Sequence, residues 1–210
     1  MVSSGGPTSR TQQVDAVVFD LGGVVAAFRP EQRLRAFAAA TGFTGSEVRS
    51  RLFESGFDPA CNRGRYSLQE AYAAGILLLD HRLDQATFAE CWCTAFVPDD
   101  EMLDLIGALH SRTGLLTNNG PILLEQLPAR LPRVVAAFDA IVFSCQAGAP
   151  KPDPRPYRHM SAQLDIASER ILFVDDSQAN VEGALNAGMQ AILFRDIGSL
   201  GRLLRKRGLL

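Results

Sequence analysis

Lysine is nearly missing from this sequence. Among its 21 basic residues only Lys151 and Lys206 are lysines, and 23 acidic residues leave a net charge of −2. That balance is a poor match to a nucleic-acid binder, which needs a clear basic excess or stripe. No apolar run approaches the ~20 residues needed to cross a bilayer. Residues 1–13 lack the apolar segment of a secretory signal and read as a disordered tail. Cysteine is scarce as well. Cys61, Cys91, Cys93 and Cys145 form no CxxC pair, and no histidine stands at ligand spacing from them. A chain of 210 residues can bury a core without disulfide staples. Reduced thiols in a cytoplasmic protein are therefore the expectation.

What the sequence does have is ordinary globular content, 47% hydrophobic and 21% charged, arranged in alternating elements. The runs 14–20, 113–120, 138–144, 170–176 and 189–194 are short and apolar on both faces, as buried parallel strands are. Helical patterns separate the last four. Pro121 stands at a first helical position, and Gly188 at a C-cap. Such alternation predicts an α/β doubly wound parallel sheet. Residues 29–98 break the rhythm with four helical segments, Ser67 and Glu70 forming a capping box and Asp84 an N-cap. The expected organisation is thus a core of 14–28 and 99–210, with a helical lobe at 29–98.

In an open α/β sheet ligands bind beyond the carboxyl ends of the strands. Strand one ends at Asp20, and strand two at Thr117-Asn118-Asn119. The loop after strand three carries Lys151, and strand four ends at Asp175-Asp176. Each residue has a plain alternative, a turn for Asp20 or a helix cap for the acidic pair. Together they offer hard oxygen ligands for a divalent metal, and an ammonium, a hydroxyl and amides for a phosphate. Lys151 stands out because a chain that uses arginine almost everywhere has placed a compact point charge there.

The ordered segments FDLGGVV, LLTNN, GAPKPDPRPY and ILFVDDSQANVEGALNAG resemble the four motifs of the haloacid dehalogenase superfamily. The resemblance covers 14–195, and 29–98 is similar to that family's helical cap over a Rossmann-like core. It implies a phosphatase-type hydrolase of small phosphorylated metabolites. Asp20 would be the nucleophile forming an aspartyl-phosphate, while Thr117, Lys151 and Asn118 would hold the phosphoryl group. Asp20, the Gly22 carbonyl and Asp176 would bind Mg²⁺, and Asp175 would support the metal's water shell and orient Lys151. Asn62, Arg63, Arg65 and Tyr66 lie in a Gly-containing turn of the cap and are candidate substrate contacts, with a solvated loop as the plain alternative. The DLGG motif resembles a subgroup that includes sugar-phosphate phosphatases and the N-terminal domain of epoxide hydrolases.

One position departs from the pattern. Phosphatases of this family usually carry a second Asp two residues after the nucleophile as general acid and base, and here that residue is Gly22. A missing general acid costs on the order of 10²–10⁴ in rate. A good leaving group, a proton donor from the cap, or a weak or inactive binding protein would each accommodate it. Carbon–halogen hydrolysis needs no general acid and is the alternative chemistry. However, it leaves the doubled Asp175-Asp176 without a role. Substrate identity and oligomeric state stay open.

Overall fold

Five of the apolar runs pair side by side in the computed structural model, which describes residues 13–210; of the expected tail at 1–13, all but Gln13 lies outside the described residues. The strands are β1 (Ala16–Phe19), β2 (Ala26–Phe28), β3 (Phe96–Pro98), β4 (Arg112–Thr117), β5 (Ala140–Phe143), β6 (Ile171–Asp175) and β7 (Gln190–Leu193). The main sheet has the order β5–β4–β1–β6–β7, parallel throughout. Every residue of β1 and β6 is buried, since helices cover both faces of the sheet and no face is left for polar side chains. β1 lies at the centre, where the strand order turns back on itself. The crevice beyond its carboxyl end is where such a fold places ligands.

The helices are α1 (Pro30–Thr41), α2 (Gly45–Val48), α3 (Phe57–Asn62), α4 (Leu68–Leu78), α5 (Gln85–Cys93), α6 (Asp100–Gly107), α7 (Pro121–Arg130), α8 (Pro132–Ala136), α9 (Ser144–Ala147), α10 (Pro154–Leu164), α11 (Gln178–Asn186) and α12 (Ile197–Lys206). The first five, with a π-helical turn at Arg49–Glu54, make the inserted lobe. Its core is aromatic: Trp92 is buried against Phe37, Phe53, Phe57 and Phe88. Ser67 and Glu70 form the expected capping box, and Asp84 accepts a hydrogen bond from the Thr87 amide as N-cap. The lobe sits down on the core, Ser144 Oγ donating to the Asn62 carbonyl at 2.7 Å. No helix of the described residues is long and apolar enough to cross a membrane.

The structure differs from the sequence pattern in three places. The lobe holds five helices and a π turn where four helical segments are expected. The helical pattern that runs over 67–83 is cut short at Leu78 in α4, because Asp80 and His81 take left-handed backbone conformations at φ 55° and 57°. Residues 96–98, placed by the sequence pattern at the end of a lobe without strands, pair antiparallel with Ala26–Phe28, so the two chain crossings between core and lobe form one ribbon. Three residues are too few to display strand alternation. The ribbon sets Phe28 opposite Phe96, with ring centroids 5.3 Å apart.

Candidate active site

Asp20 is the first residue past β1, its amide donating to the Val174 carbonyl of β6 at 2.9 Å. That bond extends the ladder by one rung and turns the carboxylate over the sheet's edge. Its side chain is 13% exposed. Burial pushes its carboxyl up to about 6, with Lys151 pulling down against it and Asp175 adding to the rise.

Lys151 is buried beneath it, and all three hydrogens of its ammonium are placed. They go to Asp20 Oδ1 at 2.8 Å, Asp175 Oδ2 at 2.7 Å and the Leu116 carbonyl at 2.8 Å. Three donors meeting three acceptors fix a flexible side chain where a guanidinium fork could not match the directions.

Asp175 is fully buried, and both of its oxygens are occupied. Oδ1 accepts from the Ser177 amide at 2.8 Å and from Asn180 Nδ2 at 3.0 Å, and Oδ2 accepts from Lys151. Asp175 therefore orients. Its neighbour Asp176 stands exposed at the rim, its carboxyl raised by partial burial and by the charge of Asp175. One oxygen from each of Asp20, Asp175 and Asp176 lies within 4.8 Å of the others.

Thr117, 1% exposed, ends β4 beside them. Its Oγ1 accepts from Asn119 Nδ2 at 2.7 Å, which leaves the hydroxyl hydrogen to be given to a ligand. Asn118 lines the cavity beside Thr117, as the sequence reading placed it. Its amide is paired in both directions with the backbone of Lys151, so its visible work is to position that residue.

A cavity of about 320 Å³ opens in front of Asp20, bounded by Gly22, Thr117 and Asn118 on the core side and by the lobe above. Gly22 faces it. A Cβ built there would lie 3.5 Å from Phe28 Cβ and 3.6 Å from Phe96 Cε1, in ordinary contact with the aromatic pair of the ribbon. Gly23, at φ +85°, is required for another reason. A Cβ on it would fall 2.2 Å from Asp176 Oδ2.

The structure separates the cap candidates. Asn62 lines the cavity. Arg63 and Arg65 instead line a different hollow with Pro150, Pro152 and Arg155, and Tyr66 packs on Phe57. The lobe also lines the cavity with Arg33, Arg49, Phe53 and Asp58, none of which sequence reading singled out. Arg33 had a signal: it falls on the same helical stripe as Phe37 and Thr41, an arginine where α1 is buried. All four cysteines are unpaired, and burial pushes the Cys61 thiol up to about 12.

Comparison with known proteins agrees with this geometry. Residues 14–188 match the model of the hydrolase family described as haloacid dehalogenase-like hydrolase. The chain is 29% identical over 222 aligned positions to Phosphatase MT3486 of Mycobacterium tuberculosis, covering 93% of this chain and 99% of that one. A HAD-like family hydrolase from Porphyromonas gingivalis superposes with a TM-score of 0.77 at 28% identity, over 92% of this chain and 98% of that one. The HAD family enzyme bt-2542 of Bacteroides thetaiotaomicron, solved with magnesium and inorganic phosphate, superposes at 0.76 with 20% identity, over 89% and 98%.

Proposed function

This chain belongs to the haloacid dehalogenase-like hydrolases, and from that premise we propose that it is a Mg²⁺-dependent phosphatase acting on a small phosphorylated metabolite through an aspartyl-phosphate on Asp20. One observation carries the reading: Asp20, Asp175 and Asp176 meet within 4.8 Å, with Lys151 locked between the first two. Three carboxylates against one ammonium leave a negative excess that suits a hard divalent cation. Burial raises the carboxyls of Asp20 and Asp176, and the charge of Asp175 adds to both rises. Asp20, Asp176 and the Gly22 carbonyl would hold the ion, while Asp175 keeps Lys151 in place. Bound there, Mg²⁺ would neutralise charge on the phosphoryl oxygens.

The chain's own groups divide the rest of the work. A carboxylate oxygen of Asp20 attacks phosphorus, and the bond from phosphorus to the leaving oxygen breaks with its electron pair. Lys151 and the Thr117 hydroxyl hold the transferring group and offset its charge. Water then adds to phosphorus, releasing inorganic phosphate and the free Asp20 carboxylate, so that one hard displacement becomes two easier ones. The lobe seated over the cavity limits water at the reacting atoms. Unpaired, unreactive thiols accord with work in the cytoplasm.

The test is phosphate release from p-nitrophenyl phosphate and a small ester panel with Mg²⁺, compared with Asp20→Asn. Equal turnover by both proteins would end the proposal. Halide release from 2-chloropropionate that survives EDTA would favour carbon–halogen hydrolysis, for which the three-carboxylate cluster is superfluous. Binding without any release would favour an inactive protein, the reading Gly22 keeps open.

A further inference from the structure

The active-site cavity is also lined by Arg33, Asp58, Phe28, Phe53 and Phe96. Arg33 is only 4% exposed. Its Nε hydrogen goes to the Trp92 carbonyl at 2.7 Å. The remaining N–H donors of the guanidinium fork are bonded to nothing among the described residues, and Nη2 is buried without a partner. No ion pair relieves the charge either, Asp58 acting on it only from a distance. Aromatic rings surround it, with centroids at 4.6 Å for Trp92, 5.5 Å for Phe96, 5.7 Å for Phe28 and 5.8 Å for Phe53. Ring faces attract a cation but cannot take up its lateral hydrogen bonds. A buried guanidinium in this state is costly unless something completes it.

We propose that the substrate completes it: the cavity takes a phosphomonoester whose leaving group carries a carboxylate, set against Arg33, on a flat apolar body lying along Phe28, Phe53 and Phe96. The proposal rests on the phosphatase reading and adds the substrate class to it. Charge selects a carboxylate over a hydroxyl. Arg33 lines the cavity with no anion at ion-pair distance, so a negative charge on the ligand is the complement it lacks. Burial also raises the carboxyl of Asp58, which lowers its competition for Arg33. With Nε bonded to Trp92 and Nη2 buried, the unpartnered Nη1 is the nitrogen that can give a carboxylate a charge-assisted hydrogen bond.

A matched pair tests this: 4-carboxyphenyl phosphate against phenyl phosphate, on the wild-type protein and on Arg33→Met, which keeps apolar bulk among the rings. Charge-assisted bonds of this kind predict a KM about 10- to 100-fold lower for the carboxylated ester than for phenyl phosphate, a ratio that Arg33→Met brings to about 1. Equal loss on both esters would make Arg33 a purely structural staple and overturn the proposal, as would a wild-type protein with no preference. Calorimetric binding of the two esters to the Asp20→Asn protein with Mg²⁺ makes the same comparison without turnover. Arg33-dependent binding of the carboxylated ester with no phosphate release from wild type would sink the phosphatase reading and leave this one standing. Failure of both esters to bind would overturn it.

Discussion

Asn118 and Lys151, 33 residues apart in sequence, hold one another by a reciprocal pair of hydrogen bonds: Asn118 Nδ2 donates to the Lys151 carbonyl at 3.0 Å, and the Lys151 amide donates to Asn118 Oδ1 at 2.8 Å. The side chain at the end of β4 thereby imitates a neighbouring strand. It fixes the backbone from which the ammonium reaches down between Asp20 and Asp175.

Asn118→Ala removes both bonds and frees the loop that carries Lys151. Catalysis is expected to fall about 10- to 100-fold in kcat, as small misplacements of a charge-stabilising group do, with KM changed little. Two lost bonds of about 1 kcal/mol each lower Tm by about 4–8 °C for a chain of this size. Asn118→Asp, which can still accept from the Lys151 amide, falls between. A raised KM with kcat intact would instead place the Asn118 amide on the phosphoryl group.

Mg²⁺ is expected to raise Tm in the wild-type protein and not in Asp176→Asn, because ligands that bind only the folded state stabilise it by mass action. The gain depends on pH with a definite sign. Folding raises the Asp20 carboxyl from 3.8 to about 6, so below that value the folded protein holds a proton that the metal must displace. Magnesium affinity should be flat above pH 7 and fall as pH drops through 6. Without metal the same shift acts oppositely on stability: the folded state binds the proton more tightly, so stability from this group is present at low pH and is lost as pH rises from about 4 to 6. Calorimetric titrations at pH 5.5, 6.5 and 7.5, with Tm of the metal-free protein beside them, check both signs. An affinity that does not weaken below pH 6 would remove Asp20 from the ligand set.

Gly23→Ala should mimic loss of Asp176. The new Cβ would lie 2.2 Å from Asp176 Oδ2 at a backbone φ of +85°. Asp176 must turn away, and the left-handed conformation itself costs about 1–3 kcal/mol in a residue with a side chain. The expected outcome is a lower Tm and a magnesium response as weak as that of Asp176→Asn. A folded Gly23→Ala protein with normal metal affinity would show that Asp176 has no part in holding the ion.

The core of this site was legible because each chemical residue ends a strand. Asp20, Thr117 and Asp175 follow unbroken apolar runs, and a parallel sheet brings the ends of such runs to one edge whatever the loops between them do. Lys151 could be singled out by composition. The cap side was not legible for the converse reason. Phe53 and Asp58 come to the cavity through the packing of the lobe around Trp92, which no local pattern encodes, and the buried stripe of α1 that marks Arg33 does not say what it faces. Arg63 and Arg65 are exposed, charged and near a glycine, as substrate contacts often are, yet they face another hollow. The ribbon of β2 and β3 escaped for want of length, and with it the reason why Gly22 has two rings beside it.

That aromatic wall makes a prediction about leaving groups. With Phe28 and Phe96 against Gly22, no carboxyl stands at that position to protonate a departing oxygen. The wild-type rate should therefore depend steeply on how acidic the leaving group is. A nitrophenyl ester, whose phenolate leaves unaided, should turn over at least about 10²-fold faster than an alkyl phosphate, the lower range of what general acid catalysis supplies. The backbone at Gly22 is not in the left-handed region, and its Cβ position makes only ordinary contacts at 3.5 and 3.6 Å. Gly22→Asp should consequently fold, with a Tm lowered by the cost of setting a carboxyl against two rings. Burial there would raise that carboxyl, which favours the proton-donating form. The variant should flatten the dependence, accelerating the alkyl ester about 10-fold or more while the nitrophenyl ester stays within about 3-fold. A wild-type protein already insensitive to the leaving group would mean that a proton comes from elsewhere in the cavity. Asp58, raised by burial and lining the same space, is then the residue to remove next.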